Sequence, residues 1–171
     1  MKIQEQIDLL GEFYQLDLEM AFATQEDVFG VIETVLPKVF KQNTDWKVDE
    51  APFIRIPYKE AMEKYGSDKP DLRNPLIISD LTDIFVGTEF NAFKDKTVKA
   101  IVTENMEEKT RKFFDAMSEY AVAELDAKGL AWVKIDNENN VAGGIAKFIT
   151  PEIQKSLAEI GAVANSSIFF I

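Results

Sequence analysis

The sequence predicts a mixed α/β (α+β) protein in which short strands and amphipathic helices share one chain. Three observations carry this prediction. Apolar and polar residues alternate early in the chain, apolar residues recur at helical spacing in four segments, and the second half reads β-α-β-β-α-β. The 171 residues are 46% hydrophobic and include 13 Phe, so the chain has ample material for a packed core.

The sharpest alternation lies at residues 11–23, where every even position from 14 to 22 is apolar. The odd positions between them carry the polar side chains of Gln15, Asp17 and Glu19. Because successive side chains on a strand point to opposite faces, we expect a strand with one apolar and one polar face. Same-face residues lie about 7 Å apart, which suits carboxylates and an amide that hold an ammonium group or a metal ion. A solvated sheet face is the simpler interpretation of this spacing.

The first predicted helix follows directly. Thr24 is a typical N-cap residue, and acidic residues occupy the next turn. We expect the helix to run to about Gln42 and to kink or end early at Pro37. Its buried side is predicted from apolar residues at helical spacing, which are Val28, Ile32, Val35 and Val39.

A second, short helix is predicted over residues 58–65 and ends at Gly66. The polar stretch 67–75 contains two prolines and is predicted to be a loop. Its charged side chains are Asp68, Lys69, Asp71 and Arg73. Loops of this composition can bind ligands, although most are simply solvated.

Ordered structure is predicted to resume at 76–86, and a domain boundary is placed near Gly87, where the pattern restarts. A strand at 97–103 leads into a long helix predicted over 107–127 and ended by Gly129. The residues predicted to face the core from this helix are Phe113, Met117, Tyr120, Ala121 and Leu125.

The last part of the chain is predicted to form a strand at 130–135, a second strand at 145–149, a helix capped by Thr150, and a buried strand at 166–171. The pair at 143–144 is Gly-Gly, which lacks the spacing of a phosphate-binding loop and is predicted to be a turn.

Composition excludes several classes of site. The chain has no Cys and no His, which rules out disulfides, thiolate or imidazole metal sites, and Ser–His or Cys–His catalysis within these residues. The net charge of −11 argues against a general polyanion binder. No apolar run approaches the ~20 residues of a membrane span, and the first ten residues are too polar for a signal peptide. We therefore expect a cytoplasmic protein without a membrane partner.

Three runs of sequence carry a resemblance to a known family. GEFYQLDLEMAFATQEDVF resembles the second strand of motif 2 in bacterial-type aspartyl-tRNA synthetases, which are class II enzymes. PYKEAMEKYGSDKPDLRNPL, at 57–76, is similar to the stretch that leads those enzymes into a large insertion, and YGSDKPDLR is highly specific to them. AKGLAWVKI, IAKF and IFF resemble the insertion itself, called the GAD domain.

The resemblance implies part of a cytoplasmic, homodimeric ligase that activates aspartate with ATP and Mg²⁺ and transfers it to tRNA. Residues 1–86 are then an incomplete antiparallel catalytic segment, and 87–171 are a GAD-type inserted domain. By the same resemblance, Gln15 and Asp17 lie beside the aspartate substrate with Asp17 facing its ammonium group, and Glu19 is nearby. The pocket-entrance loop implied by the resemblance comprises Asp68, Lys69, Asp71 and Arg73.

Departures from the family limit what the 171 residues should do alone. The place of the ATP-binding motif 2 loop is taken by KIQEQIDLL, which has no Arg, and Gly143-Gly144 stands where the family has Gly-Pro. Motif 1, motif 3 and the anticodon-binding barrel are not among these residues. We therefore expect an inactive isolated chain with no complete catalytic site and no bound ATP, Mg²⁺ or other metal. The alternatives are a stand-alone synthetase-derived binding or regulatory protein, and a chain in which the inserted domain alone folds.

Overall fold

The computed structural model describes residues 14–106 and 108–171, which divide into compact units between Arg55 and Ile56. The assignment of 1–86 and 87–171 to a catalytic segment and an inserted domain stays a prediction. Leu81 and Phe85, which precede the predicted boundary, are buried in the same core as the strands that follow it.

The first unit is built around helix α1, Gln25–Asn43. Thr24 caps it as predicted, in a reciprocal capping box: Asp27 N donates to Thr24 Oγ1, and Thr24 N donates to Asp27 Oδ2 at 2.8 Å. The helix does not end early at Pro37, which lies buried inside it. A proline removes one backbone hydrogen bond, and the turns on either side keep theirs.

The packed side of α1 differs from the predicted one. Arg55 forms a bidentate ion pair with Glu26 at 2.6 and 2.8 Å, and its guanidinium lies 4.7 Å from the ring centroid of Phe29. Phe53 N donates to Glu33 Oε1 at 3.0 Å. These contacts hold the chain that follows α1 against the face of Glu26, Phe29 and Glu33. The residues predicted to be buried remain 38–48% exposed, and they are Val28, Ile32, Val35 and Val39.

The strand predicted at 11–23 is not formed in its described part. Residues 14–20 carry no strand structure, and a turn follows in which Phe22 has a φ of 56°. Residues 11–13 lie outside the described residues. Both the apolar and the polar side chains of this segment are exposed, with Tyr14 at 98%. Alternation sets which side chains share a face, but a strand also needs a neighbour to accept its backbone hydrogen bonds.

The second unit contains an antiparallel sheet, which has five strands within the described residues. They are β1 (Ser79–Asp80), β2 (Lys99–Thr103), β3 (Ala131–Ile135), β4 (Val141–Ala142) and β5 (Ser167–Phe170). The spatial order is β1-β2-β5-β3-β4, so the last strand lies at the centre and all four of its residues are buried. The predicted fold class is confirmed.

Three helices accompany this sheet in the described residues: α2 (Tyr58–Tyr65), α3 (Arg111–Leu125) and α4 (Pro151–Glu159). Gly66 ends α2 in the left-handed conformation, as predicted. Thr150 caps α4 by accepting a hydrogen bond from Ile153 N. Helix α3 starts later than predicted and is ended by Asp126, with a φ of 56°, rather than by Gly129. Glu107, the predicted start, lies outside the described residues.

The two faces of the sheet carry separate apolar clusters. On one face Phe170 packs with Phe85 and Phe93, whose ring centroids lie 5.7 and 5.8 Å from its own. On the other face Phe114 of α3 stacks on Trp132, with centroids 4.4 Å apart. Helix α3 therefore covers the sheet mainly through Phe114.

Helix α3 leaves part of its predicted core side open. Phe114 and Ala121 are buried, whereas Tyr120 is 53% and Leu125 is 64% exposed. The prediction that Tyr120 and Leu125 are buried was wrong. Apolar spacing marks one stripe along the helix, but Phe113, Phe114 and Met117 are the members of that helix in the cluster on the sheet.

The strand predicted at 145–149 is also wrong. Strand β4 stops at Ala142, and a short 3₁₀ turn, Ala146–Phe148, takes the place of the predicted strand. Gly143 ends the strand with a φ of 126°, and a Cβ atom there would lie 2.5 Å from Trp132 Cζ3. The close approach of this backbone to the indole turns the chain away from the sheet.

Two neighbouring buried serines give a matched stability prediction. Ser166 Oγ donates to Val163 O at 2.6 Å, whereas Ser167 Oγ has no hydrogen-bond partner among the described residues. Both residues are at most 1% exposed. We expect Ser166→Ala to lower the free energy of unfolding by about 1 kcal/mol and Ser167→Ala to leave it unchanged or raise it. Urea unfolding followed by circular dichroism measures both, and an equal loss for the two variants would contradict the assignment.

Candidate functional site

The first set of predicted site residues lies in the segment before α1. Gln15 Nε2 donates a hydrogen bond to Asp17 Oδ1 at 2.7 Å, and both side chains are exposed. Glu19 is exposed as well. Two of the three side chains are therefore in direct contact, although the segment is not a paired strand.

This contact occupies one of the two carboxylate oxygens of Asp17. One of its carboxylate oxygens accepts the amide hydrogen bond, and the other has no hydrogen-bond partner in the described part of the chain. An ionised carboxylate is an acceptor only, so the open oxygen of Asp17 is suited to a cationic N–H donor such as an ammonium group. The neighbouring amide fixes the orientation of the carboxylate.

The second set lies in the loop after α2, where the charged residues pair with each other. Lys69 Nζ donates to Asp68 Oδ2 at 2.8 Å. The Arg73 side chain donates two hydrogen bonds to Asp71, from Nε at 2.8 Å and from Nη2 at 2.7 Å. The backbone N–H of Arg73 also donates to Asp71 Oδ1 at 3.0 Å. All four side chains are exposed, so they form two local ion pairs at the surface.

The Asp71–Arg73 pair has a measurable acid–base signature. The side-chain hydrogen bonds from Arg73 lower the pKa of Asp71 to about 2, below its ordinary 3.8. Because the pKa is depressed by folding, the pair stabilises the loop above pH 3.8 and loses this contribution as the pH falls towards 2. We expect Arg73→Gln to raise the pKa of Asp71 towards 3.8 in a carboxyl NMR titration. Lys69→Gln, which removes the neighbouring cation, should not change it, and an unchanged pKa in Arg73→Gln would disprove the pairing.

The two sets of residues belong to different compact units. Gln15, Asp17 and Glu19 belong to the unit that ends at Arg55, and the loop belongs to the unit that starts at Ile56. Each set is therefore characterised by its own contacts.

The basic residues of the chain are three arginines and 16 lysines. Its three arginines all pair with carboxylates of the same chain: Arg55 with Glu26, Arg73 with Asp71, and Arg111 with Asp115. Within residues 14–106 and 108–171, no cluster of three or more Asp or Glu side chains is arranged to hold a metal ion. None of the helices described in this chain is long and apolar enough to cross a membrane.

Sequence reasoning missed one surface feature. A cavity of about 1020 Å³ lies beside α3, and Tyr120 and Leu125 form part of its wall. These are the residues that were predicted to be core. Helical spacing of apolar residues could have identified the wall, but not that it faces an open groove.

Comparison with known proteins identifies the family. The model of the tRNA synthetases class II (D, K and N) matches residues 4–164. The aspartate–tRNA(Asp/Asn) ligase of Wolbachia pipientis is 51% identical over 166 residues, and that of Rickettsia canadensis is 47% identical over 167. The aspartate–tRNA ligase of Streptomyces avermitilis is 48% identical over 161 residues. Each match covers 94% of this chain, which spans 27–28% of the length of these relatives.

Proposed function

This chain belongs to the tRNA synthetases class II (D, K and N), and on that premise we propose that it is part of an aspartate–tRNA ligase. Similarity to aspartate–tRNA ligases along 94% of the chain is the observation that carries the proposal. In the whole enzyme the activity is activation of aspartate by ATP with Mg²⁺, followed by transfer to tRNA. The proposal includes a cytoplasmic, homodimeric parent protein.

Residues 14–19 form the aspartate side of the pocket in this proposal. The open carboxylate oxygen of Asp17 receives the ammonium group of the substrate, and Gln15 holds the other oxygen through its 2.7 Å hydrogen bond. Glu19 lies two residues further along and adds negative charge near the same cation. These residues bind and orient the amino acid and supply no group for the transfer step itself.

The loop at the pocket entrance has a different role in the proposal. Its acidic and basic side chains neutralise each other in two pairs, Asp68 with Lys69 and Asp71 with Arg73. The loop therefore adds little net charge at the pocket entrance, and it neither attracts nor repels the charged aspartate strongly. Residues 1–86 then contribute catalytic-domain structure, and 87–171 form the inserted GAD-type domain.

The 171-residue chain alone is expected to show no aspartate-dependent exchange of pyrophosphate into ATP. The expectation rests on the run KIQEQIDLL, which has no Arg where the resemblance implies the ATP-binding motif 2 loop. Exchange measured with purified chain, with and without aspartate, checks this expectation. Aspartate-dependent exchange above the rate without enzyme would contradict it.

A hybrid protein tests the proposed function itself. Residues 11–171 replace the matching residues of the Wolbachia pipientis ligase, to which the chain is 51% identical, so the host keeps its own ATP-binding motif 2 loop. The hybrid is assayed for aspartate-dependent exchange. We expect activity, because the pocket residues and the fold are supplied by this chain and the ATP site by its host. A folded hybrid without exchange would defeat the proposal.

A further inference from the structure

The loop that follows α2 is closed at its base. Helix α2 ends at Gly66, whose φ is 67°, and the chain returns to the end of the helix where Ile78 N donates to Lys64 O at 2.8 Å. Residues 66–77 (the entrance loop) therefore leave and rejoin the unit at neighbouring points. A loop of this length whose ends meet is an Ω-loop, a class of loop that packs on itself and is frequently functional.

Backbone turns give the entrance loop a frame of its own. Lys69 N donates to Ser67 Oγ at 3.1 Å, and Asn74 N donates to Asp71 O at 3.0 Å. Leu76 N then donates to Asn74 Oδ1 at 3.0 Å. Side-chain oxygens that accept from nearby backbone N–H groups form turns of this kind. The shape of the loop is therefore set by hydrogen bonds among its own residues.

The Asp71–Arg73 pair fastens the middle of this frame. Three hydrogen bonds join the two residues, two from the guanidinium and one from the Arg73 backbone N–H. The backbone carbonyl of Asp71 also accepts from Asn74 N, so Asp71 holds the turn through its side chain and its main chain together. A bidentate pair fixes the orientation of both partners, which an ordinary surface ion pair does not.

The charges of the entrance loop are satisfied within the loop. In the described part of the chain, its acidic and basic side chains pair with each other, Asp68 with Lys69 and Asp71 with Arg73. All four side chains are exposed, so a displacement of the loop breaks no ion pair with the surrounding structure. Loops that are bonded internally and only weakly to their surroundings are the ones that open and close over binding sites.

We propose that the entrance loop gates the aspartate pocket as one body, and that the Asp71–Arg73 pair is the brace that keeps its shape. The inference rests on the proposed ligase function, which assigns this loop to the pocket entrance. Asp71 and Arg73 are then positioning residues, since they act on substrate access through the loop and do not touch aspartate. The competing role is a direct contact of Arg73 with the substrate carboxylate, in which Arg73 alone would matter.

Amide hydrogen exchange in the isolated chain, followed by NMR, tests the brace by itself. We expect Arg73→Gln to speed exchange of the Asn74 amide about fivefold and to leave that of Ile78, at the base of the loop, within about twofold. Lys69→Gln opens the other ion pair of the loop and should leave both amides unchanged. Unchanged exchange at Asn74 in Arg73→Gln would overturn the brace.

Kinetics of the hybrid protein test the gate. Asp71→Asn and Arg73→Gln should each raise the KM for aspartate about threefold, and the double variant should raise it no further, because both changes act on one brace. Unfolded protein lowers the measured kcat without changing KM, so KM reports the loop. Arg111→Gln and Asp115→Asn alter an exposed ion pair on α3 and, as matched controls, should leave KM unchanged.

The possible results separate this inference from the proposed function. A rise in KM for Arg73→Gln alone would assign Arg73 to substrate contact, and unchanged KM values in an active hybrid would remove the gate. Either result overturns the inference while the ligase assignment stands, and so does an equal rise in the two control variants. A folded hybrid without any exchange would instead defeat the proposed function and the gate with it, whereas exchange in the chain still decides the brace.

Discussion

Asn in place of Asp17 is expected to raise the KM for aspartate about a hundredfold in the hybrid protein, because a charge-assisted hydrogen bond of roughly 2.7 kcal/mol is lost. Asn keeps the size of the side chain and can still accept from Gln15, so the change removes charge with little loss of shape. The KM for ATP should stay within about twofold, since Asp17 binds the amino acid rather than the nucleotide.

Aspartate-dependent pyrophosphate exchange over a range of both substrates measures this effect. Asp45→Asn is the matched control, since it removes the same charge from an exposed position that is not in the proposed pocket. An unchanged KM for aspartate in Asp17→Asn would remove Asp17 from the pocket. Equal losses for the two variants would indicate a general effect of net charge.

Gly143→Ala is expected to lower the free energy of unfolding by about 3 kcal/mol, through overpacking and backbone strain together. The added Cβ would lie 2.5 and 2.7 Å from two carbons of the Trp132 ring and 3.1 Å from Trp132 O. The ring cannot move aside, because it is 8% exposed and stacks on Phe114 at 4.4 Å. The φ of 126° adds strain for any residue with a side chain.

Gly144→Ala provides the matched control for that clash. Its added Cβ would come no closer than 3.7 Å to Trp132 O, so we expect a change below about 1 kcal/mol. Urea unfolding followed by circular dichroism compares the two variants. A Trp132→Leu background should reduce the cost of Gly143→Ala, because the clashing ring is gone. If Gly143→Ala and the unchanged chain were equally stable, the close contact between the Gly143 backbone and the Trp132 ring would be refuted.

Local signals predicted three of the helix ends correctly, although not those of α3. Thr24, Gly66 and Thr150 mark boundaries because a cap is formed by a residue and the backbone within four positions of it. The strands at 99–103, 131–135 and 167–170 were also predictable, since continuous apolar runs are typical of strands buried on one or both faces.

The features that the sequence did not predict depend on contacts between segments that are distant in the chain. Residues 14–20 have the alternation of a strand, but pairing depends on a neighbour that local pattern does not reveal. The packed face of α1 is set by Arg55 and Phe53, which return to it from beyond the helix. Strand β4 ends where Gly143 meets Trp132, eleven positions earlier in the chain.

The assignment of the candidate residues to a site stays a prediction, and the structure shows which of them are in contact. Alternation placed Gln15 and Asp17 on one side, and the structure joins them by a hydrogen bond. The internal pairing of Asp71 with Arg73 follows from their close spacing, yet sequence alone cannot distinguish it from pairing with a ligand.

Amino-acid selectivity of the hybrid protein tests the central assignment most directly. Pyrophosphate exchange is measured with aspartate, asparagine and lysine, the three amino acids of the matched family model. The account predicts exchange with aspartate and rates at background with the other two, because the chain is proposed to be part of an aspartate–tRNA ligase. A folded hybrid that uses asparagine or lysine equally well, or that activates none of the three, would contradict it.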